Sequence, residues 1–259
     1  MRPAGGVLTL APPSGPGAPD PRAARAPKHP PTTAVGPVEA QAARTPEVPA
    51  LVIAGGAVVT YRELNAAANR LARVLTARGA RPGAVVGLAA AGRPADLLTS
   101  LLAVAKSGAA YLPLDPADAP GRRELLLART APVCVLGEGV PGALAGLDAA
   151  GELATDPPRA LTPQHPLCIG FGPGGRPEEV RLTHGEADRR VRELQAAHPL
   201  GPGDRVLQLG LPLWEFLWPL RTGAAVVLAD PHRPGDVGAL VRDLGVTAVR
   251  ATSTALLGG

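Results

Sequence analysis

Aromatic side chains are almost missing from this chain of 259 residues: two Phe, two Trp and two Tyr, 2% of the whole. Its interior must be built from Leu, Val and Ala, which dominate a hydrophobic fraction of 46%. The same scarcity removes the stacking platforms on which single-stranded nucleic acid is held. Lysine is also rare, with only Lys28 and Lys106, the other basic residues being arginine. The net charge of +4 does not signal a polyanion partner. Arg2, Arg22, Arg25 and Lys28 against Asp20 place +3 of it in the first 35 residues, and no basic stripe follows, so nucleic acid is not an expected partner. Of the two cysteines, Cys134 and Cys168, neither has CxxC or Cys/His spacing, and both are expected as buried, reduced thiols. No apolar run reaches the roughly 18 residues of a membrane span, and "GVLTLA" is broken too soon by proline to be a secretory core. No membrane partner and a cytoplasmic location are expected.

What is present is punctuation and periodicity. Residues 1–35 hold nine prolines and four glycines without a repeat, which predicts a disordered leader, with a single domain over 36–259. "TYRELNAAANRLARVLTARG" opens on Thr60 and Glu63 in capping-box spacing, carries Leu64, Ala68, Leu71 and Leu75 on one face, and closes at Gly79. The strand "VVGLAA" (85–90) and the helix "PADLLTSLLAVAKSG" (94–108) follow. Next come the strand "AAYLPLD", the helix "GRRELLLARTA", the strand "VCVLG" and a loop-rich segment over 138–165. The strand "LCIGFG" precedes a glycine-rich loop, and Thr183 with Glu186 forms a second capping box before "HGEADRRVRELQAAH". "RVLQLGL", "AAVVLAD" and "VTAVRAT" complete the strands, with "DVGALVRDLG" helical between the last two. Apolar strands alternating with amphipathic helices predict an α/β fold, a layered and mostly parallel sheet with helices on both faces.

The stretch "CIGFGPGGRPEEVRLTHGE" (168–186) carries the chemical question. Gly172, Gly174 and Gly175 follow an apolar strand, as in a loop that wraps an anion, and ligands of parallel sheets sit at such strand ends. Yet the loop has no hydroxyl, and Glu178 and Glu179 stand where a cation is needed. A Walker loop would require Lys followed by Ser or Thr after the last glycine. His184, next to the Thr183 cap, reads as a first-turn helix residue rather than a base. His165, His198 and His232 lie beside prolines without ligand spacing, so no metal site is expected. No Ser/His/Asp or Cys/His constellation emerges, and no catalytic residue is assigned.

"VEAQAARTPEVPAL", "TYRELNAAANRLARVLTARGARPGAVVGL" and "LLAVAKSGAAYLPLDPADAPGRRELLLARTAPVCVL" resemble the opening of amino-acid adenylation domains of nonribosomal peptide synthetases. These belong to the AMP-forming acyl- and aminoacyl-adenylate ligases. "DRVLQ", "LWEFLWPLRTGAAVVLADP" and "LVRDLGVTAVRATSTALL" extend the likeness. The resemblance implies the first part of the family's large subdomain and attack of a carboxylate on the α-phosphorus of ATP, with Mg²⁺. It reads Lys106, Tyr111 and Asp115 as architecture.

The departures from that family are specific. Its phosphate loop, approximately T-S-G-S-T-G-x-P-K-G, aligns without length change on residues 170–179. Gly170, Gly172, Gly174, Gly175, Arg176 and Glu178 are thus phosphate-loop positions, with Glu178 replacing the lysine and Pro173 removing an N–H. In the pocket that holds the amino acid, Trp214 and Glu215 remain, whereas Gly210 aligns with the aspartate that pairs with the substrate ammonium. The stretch before "LPLWE" is about five residues short by that alignment, and Pro219 is expected to interrupt the following helix. The chain ends near the middle of the family's large domain. The resemblance therefore implies a truncated, degenerate adenylation domain without independent activity. No cofactor is expected, and ATP and Mg²⁺ only if the family activity survives. A scaffold that docks on a synthetase, a carrier protein or itself through an open sheet edge is the alternative. A ligase completed by a second chain is the third reading.

Overall fold

The computed structural model describes residues 6–9, 32–55, 57–89, 94–115, 118–137, 155–157, 160–172, 178–209, 213–228 and 237–251. In chain order the first elements are β1 (Gly6–Thr9), α1 (Gly36–Arg44), β2 (Pro49–Ile53), β3 (Val58–Thr60) and α2 (Tyr61–Ala77). They are followed by β4 (Val85–Ala89), α3 (Pro94–Ser107), β5 (Ala110–Leu114), α4 (Pro120–Thr130) and β6 (Cys134–Leu136). After these come β7 (Pro166–Phe171), β8 (Glu179–Thr183), α5 (His184–Ala197), β9 (Arg205–Leu209) and a 3-10 turn at Leu213–Phe216. The last are α6 (Leu217–Thr222), β10 (Ala225–Leu228), α7 (Val237–Asp243) and β11 (Ala248–Ala251).

The chain divides into two compact units, with boundaries inside α1, after the first residue of α2 and inside α5. Residues Pro31–Glu39 and Arg62–Asp188 form the unit that carries the glycine loop. Its sheet runs β6-β4-β5-β7-β8, parallel except for β8, which returns antiparallel to β7. All five residues of β4 are buried, the signature of a strand covered on both faces. On one face Val85, Ala110, Leu112 and Ile169 pack under Leu126 of α4. Between α3 and β5, Gly108 has φ +85°, and a Cβ there would stand 2.9 Å from Pro82 Cδ, so this helix end requires glycine.

The other unit, Met1–Pro30, Ala40–Tyr61 and Arg189–Gly259, holds a sheet ordered β1-β11-β9-β10-β2-β3. Its middle strands β11, β9, β10 and β2 are parallel neighbours, while β1 and β3 pair antiparallel at the two ends. Val52, Leu207, Val227 and Val249 lie in its core cluster, with Val241 of α7 packed against it.

One expectation, at Pro219, needs adjustment, one element went unread, and parts of the 1–35 stretch are described. Within the stretch read as a disordered leader, Gly6–Thr9 pairs with β11, and Ala34 and Val35 are buried. Pro219 does not interrupt a helix: it is the third residue of α6, in the first turn, where its missing N–H has no intrahelical acceptor to lose. The hairpin β2–β3, with Leu51 opposite Val59 and Val52 opposite Val58, went unread in "ALVIAGGAVVT". Its signal is two β-branched runs flanking Gly55.

Candidate functional site

The glycine loop is the turn of the β7–β8 hairpin. Cys168 pairs with Leu182, Ile169 with Arg181, Gly170 with Val180 and Phe171 with Glu179. The Gly172 N–H then donates to the Glu178 carbonyl at 2.9 Å, extending the ladder by one bond. Of the expected phosphate-loop positions, Gly174, Gly175 and Arg176 lie outside the described residues, as does Gly210. Gly170 and Gly172 are at the strand end, and a Cβ at Gly172 would meet nothing nearer than 3.9 Å. Neither glycine is demanded by crowding within the hairpin.

The charges on the hairpin are acidic at its mouth. Glu178 is exposed, and Glu179 receives the Arg181 guanidinium at 2.5 Å. A cation that sequence reading missed approaches from α4. Arg122 Nη2 donates to the Gly172 carbonyl at 3.0 Å and to that of Phe171 at 3.4 Å, while its Nε pairs with Asp118 at 3.1 Å. Arg129 stands 5.2 Å from the centre of the Phe171 ring. The visible signal for Arg122 was the i,i+4 pair Asp118–Arg122, but its long-range target was not legible. At the described edge of the loop, the Arg122 guanidinium is turned to main-chain carbonyls, Glu179 is paired with Arg181, and Glu178 is exposed. Among the described residues no three His, Cys, Asp or Glu side chains converge as a metal-binding set.

His184 begins α5 and is fully buried, its Nδ1 accepting the Ala34 N–H at 3.3 Å. Thr183 and Glu186 form the expected capping box: each backbone N–H binds the other's side chain, at 2.9 and 3.2 Å. These bonds fix the strand-to-helix corner after the loop.

Lys106 is 0% exposed and bonds Glu39 at 2.5 Å and Asp156 at 2.9 Å. Tyr111, also buried, is paired in register with Cys168. Burial pushes the Cys168 thiol up to about 12, against the lowering effect of its hydrogen bond with Tyr111, so it is no nucleophile at neutral pH. Burial also raises the Cys134 thiol, against the nearby Arg78 charge. Both cysteines are free. Cys134, Val86, Tyr111 and Cys168 form one row across four strands, which puts the thiols about 14 Å apart at sheet spacing, beyond disulfide reach.

In the other unit Trp214 and Glu215 lie in the buried 3-10 turn. Glu215 is clasped by Arg250 through Nε–Oε2 at 2.5 Å and Nη2–Oε1 at 2.8 Å. Arg190 stacks 5.7 Å from the Trp214 ring centre. Both carboxylate oxygens of Glu215 are thus turned to the protein's own guanidinium.

A cleft of about 210 Å³, lined by Gly83, Ala84, Ala110, Arg129, Thr130 and Arg181, opens at the amino ends of β4 and β5. Its lining also includes Glu179 of the hairpin, and it is smaller than the roughly 300 Å³ of typical ligand pockets.

The profile of the AMP-binding enzyme family matches residues 38–257. Phosphinothricin tripeptide synthetase PhsB of Streptomyces viridochromogenes is 38% identical over 82% of this chain and 20% of its own length. Tyrocidine synthase 3 of Brevibacillus parabrevis is 31% identical over 85% of this chain and 4% of its own length. The chain thus spans a fifth or less of these two relatives. The solved structure of the nonribosomal peptide synthetase FmoA3 in its AMPPNP-bound form superposes with a TM-score of 0.73 at 27% identity, covering 84% of this chain and 25% of that one. Among the described residues no helix is long and apolar enough to cross a membrane. With family profile, relatives and superposed structure in agreement, the chain belongs to the AMP-binding enzyme family and corresponds to the N-terminal part of an adenylation domain of the peptide-synthetase type.

Proposed function

We infer that this chain supplies the N-terminal part of an adenylation domain whose phosphate loop has lost its grip on ATP, and that the chain by itself activates no carboxylate. The register of the β7–β8 hairpin carries this reading. Gly172 N–H to Glu178 C=O, with Phe171 opposite Glu179, puts Glu178 directly across the loop mouth from Gly172. On the family's loop pattern, position 178 is that of the lysine, and this chain carries a carboxylate there. Two unit charges about 4 Å apart interact by about 4 kcal/mol at an effective dielectric of about 20, so attraction turned to repulsion is a large loss even after screening. The glycine at position 210 supports the same reading from the substrate side, because it offers nothing to an ammonium.

Calorimetric titration of the full chain with Mg·ATP tests this. No saturable heat is expected up to about 1 mM ligand, the level at which binding contributes only about 4 kcal/mol. Saturation below that concentration, or ATP–pyrophosphate exchange driven by any amino acid, would overturn it.

A docking role through β8 is the second reading. Val180 is 61% exposed on this strand, the last of its sheet among the described residues. Glu179 and Arg181 beside it oppose the idea, since edge charges discourage strand pairing. Sedimentation at rising concentration decides: a single monomeric species removes self-association from consideration.

A further inference from the structure

We propose that Arg122 is a positioning residue for the glycine loop, bracing the mouth of the hairpin from α4. Gly172 is where the β7–β8 ladder ends: its N–H still bonds Glu178, but its carbonyl has left the ladder and is taken by the Arg122 guanidinium at 3.0 Å. The same Nη2 reaches the Phe171 carbonyl at 3.4 Å. Hydrogen bonds from a charged donor are stronger than neutral ones, and a guanidinium's fixed fork loses little freedom in making several. The fork is itself aimed. Asp118 holds Arg122 Nε at 3.1 Å, and the Asp118 N–H donates to the Asp115 carbonyl at 3.0 Å. Asp115, which sequence reading assigned to architecture, is thereby linked through two residues to the loop.

One helix grips Phe171 twice, for Arg129, two turns beyond Arg122, stands over its ring at 5.2 Å. The loop thus leaves β7 from a point fixed against α4 by charge and by ring contact, both from protein groups. This brace goes beyond the functional reading above and does not depend on it, because every contact is between the protein's own groups.

The test is hydrogen exchange by mass spectrometry on the full chain, without nucleotide, together with thermal melting. Arg122→Gln should raise exchange in peptides covering residues 168–182 by about tenfold, while α2 and α3 peptides keep wild-type rates, the pattern of a local opening. Arg122→Lys keeps the charge but not the fork, and should recover part of the protection. Arg129→Gln should have a smaller effect, since it spares the carbonyl bonds. Unchanged exchange at the hairpin, an equal rise throughout the unit, or Arg122→Lys as unprotected as Arg122→Gln would each overturn the proposal. If Arg122→Gln does not fold, Asp118→Asn decides: a rise confined to the hairpin supports the brace, and wild-type exchange refutes it. ATP binding by the wild-type chain would overturn the functional reading and leave these outcomes untouched.

Discussion

Lys106 and Asp156 lie 50 residues apart in sequence, and Nζ of the first is 2.9 Å from Oδ1 of the second. The same carboxylate oxygen accepts the Asn65 amide at 3.2 Å and the Asn69 amide at 3.0 Å, while Lys106 also bonds Glu39. The lysine is wholly buried, and among the described residues these two carboxylates balance its charge, Asp156 being 44% exposed and Glu39 13%. Breaking a buried pair by removing one partner costs far more than a surface pair is worth. Lys106→Met should therefore lose about 3–5 kcal/mol in urea unfolding. Asp156→Asn, at a half-exposed position, should lose about 1 kcal/mol or less. Equal losses in the two variants would show that Lys106 is not held chiefly through Glu39.

A pH dependence follows from the same group. Partial burial raises the Asp156 carboxyl, but the Lys106 ammonium and the two asparagine amides outweigh it and hold the group below its ordinary value. A depressed carboxyl contributes stability that is present above its unfolded value, about 3.9, and is lost as pH falls through the folded one. The stability gap between wild type and Asp156→Asn should thus be constant at neutral pH and close as pH drops below about 4. Urea midpoints measured from pH 7 to pH 3 check it, and a gap that widens in acid would reverse the sign assigned here.

Gly137 closes β6 with φ +96°, and a Cβ built there would stand 2.2 Å from the Ala89 carbonyl oxygen. Neither the backbone angle nor the space tolerates a side chain, and the clashing atom is main chain of the neighbouring strand β4. Gly137→Ala should cost about 2 kcal/mol or more. Gly121→Ala, inside α4 with nothing within 4 Å, is the matched control and should be neutral or mildly stabilising. Melting temperatures of the two variants suffice, and indistinguishable values would refute the steric account.

Much of this architecture was legible because the local and global signals agreed. Glu186 and Thr183 satisfy each other's N–H groups as their spacing requires, and α2 starts one residue after Thr60 as its own box implies. The buried runs of β4 and β10 announced strands covered on both faces, each in its own sheet. The missed features depend on distance in sequence. Arg122 finds Gly172 some 50 residues away, and Arg250 finds Glu215 across 35, so no window along the chain contains either pair. Pro219 was misread for a different reason: a proline breaks a helix interior but suits its first turn, and the preceding 3-10 turn moved the helix start to Leu217. At the loop, sequence revealed which residue stands at 178, and the hairpin register added where it stands.

That position makes the charge at 178 a direct test. Glu178→Lys leaves the hairpin bond untouched, because Gly172 binds the main-chain carbonyl of residue 178 and not its side chain. The substitution replaces repulsion by attraction at the mouth of the loop, and inorganic tripolyphosphate probes this charge without needing the rest of a nucleotide site. Glu178→Lys should bind tripolyphosphate at least about tenfold more tightly than wild type, a difference of about 1.4 kcal/mol. The measurement belongs at about 0.01 M salt, where the screening length is about 30 Å. The difference should shrink sharply at about 1 M salt, where that length is about 3 Å, since Glu178 is exposed. Equal affinities at low salt would instead point to the missing hydroxyls and the Pro173 N–H as the differences from the family pattern that matter here. Restoring them together with the lysine would then be required before any phosphate is held.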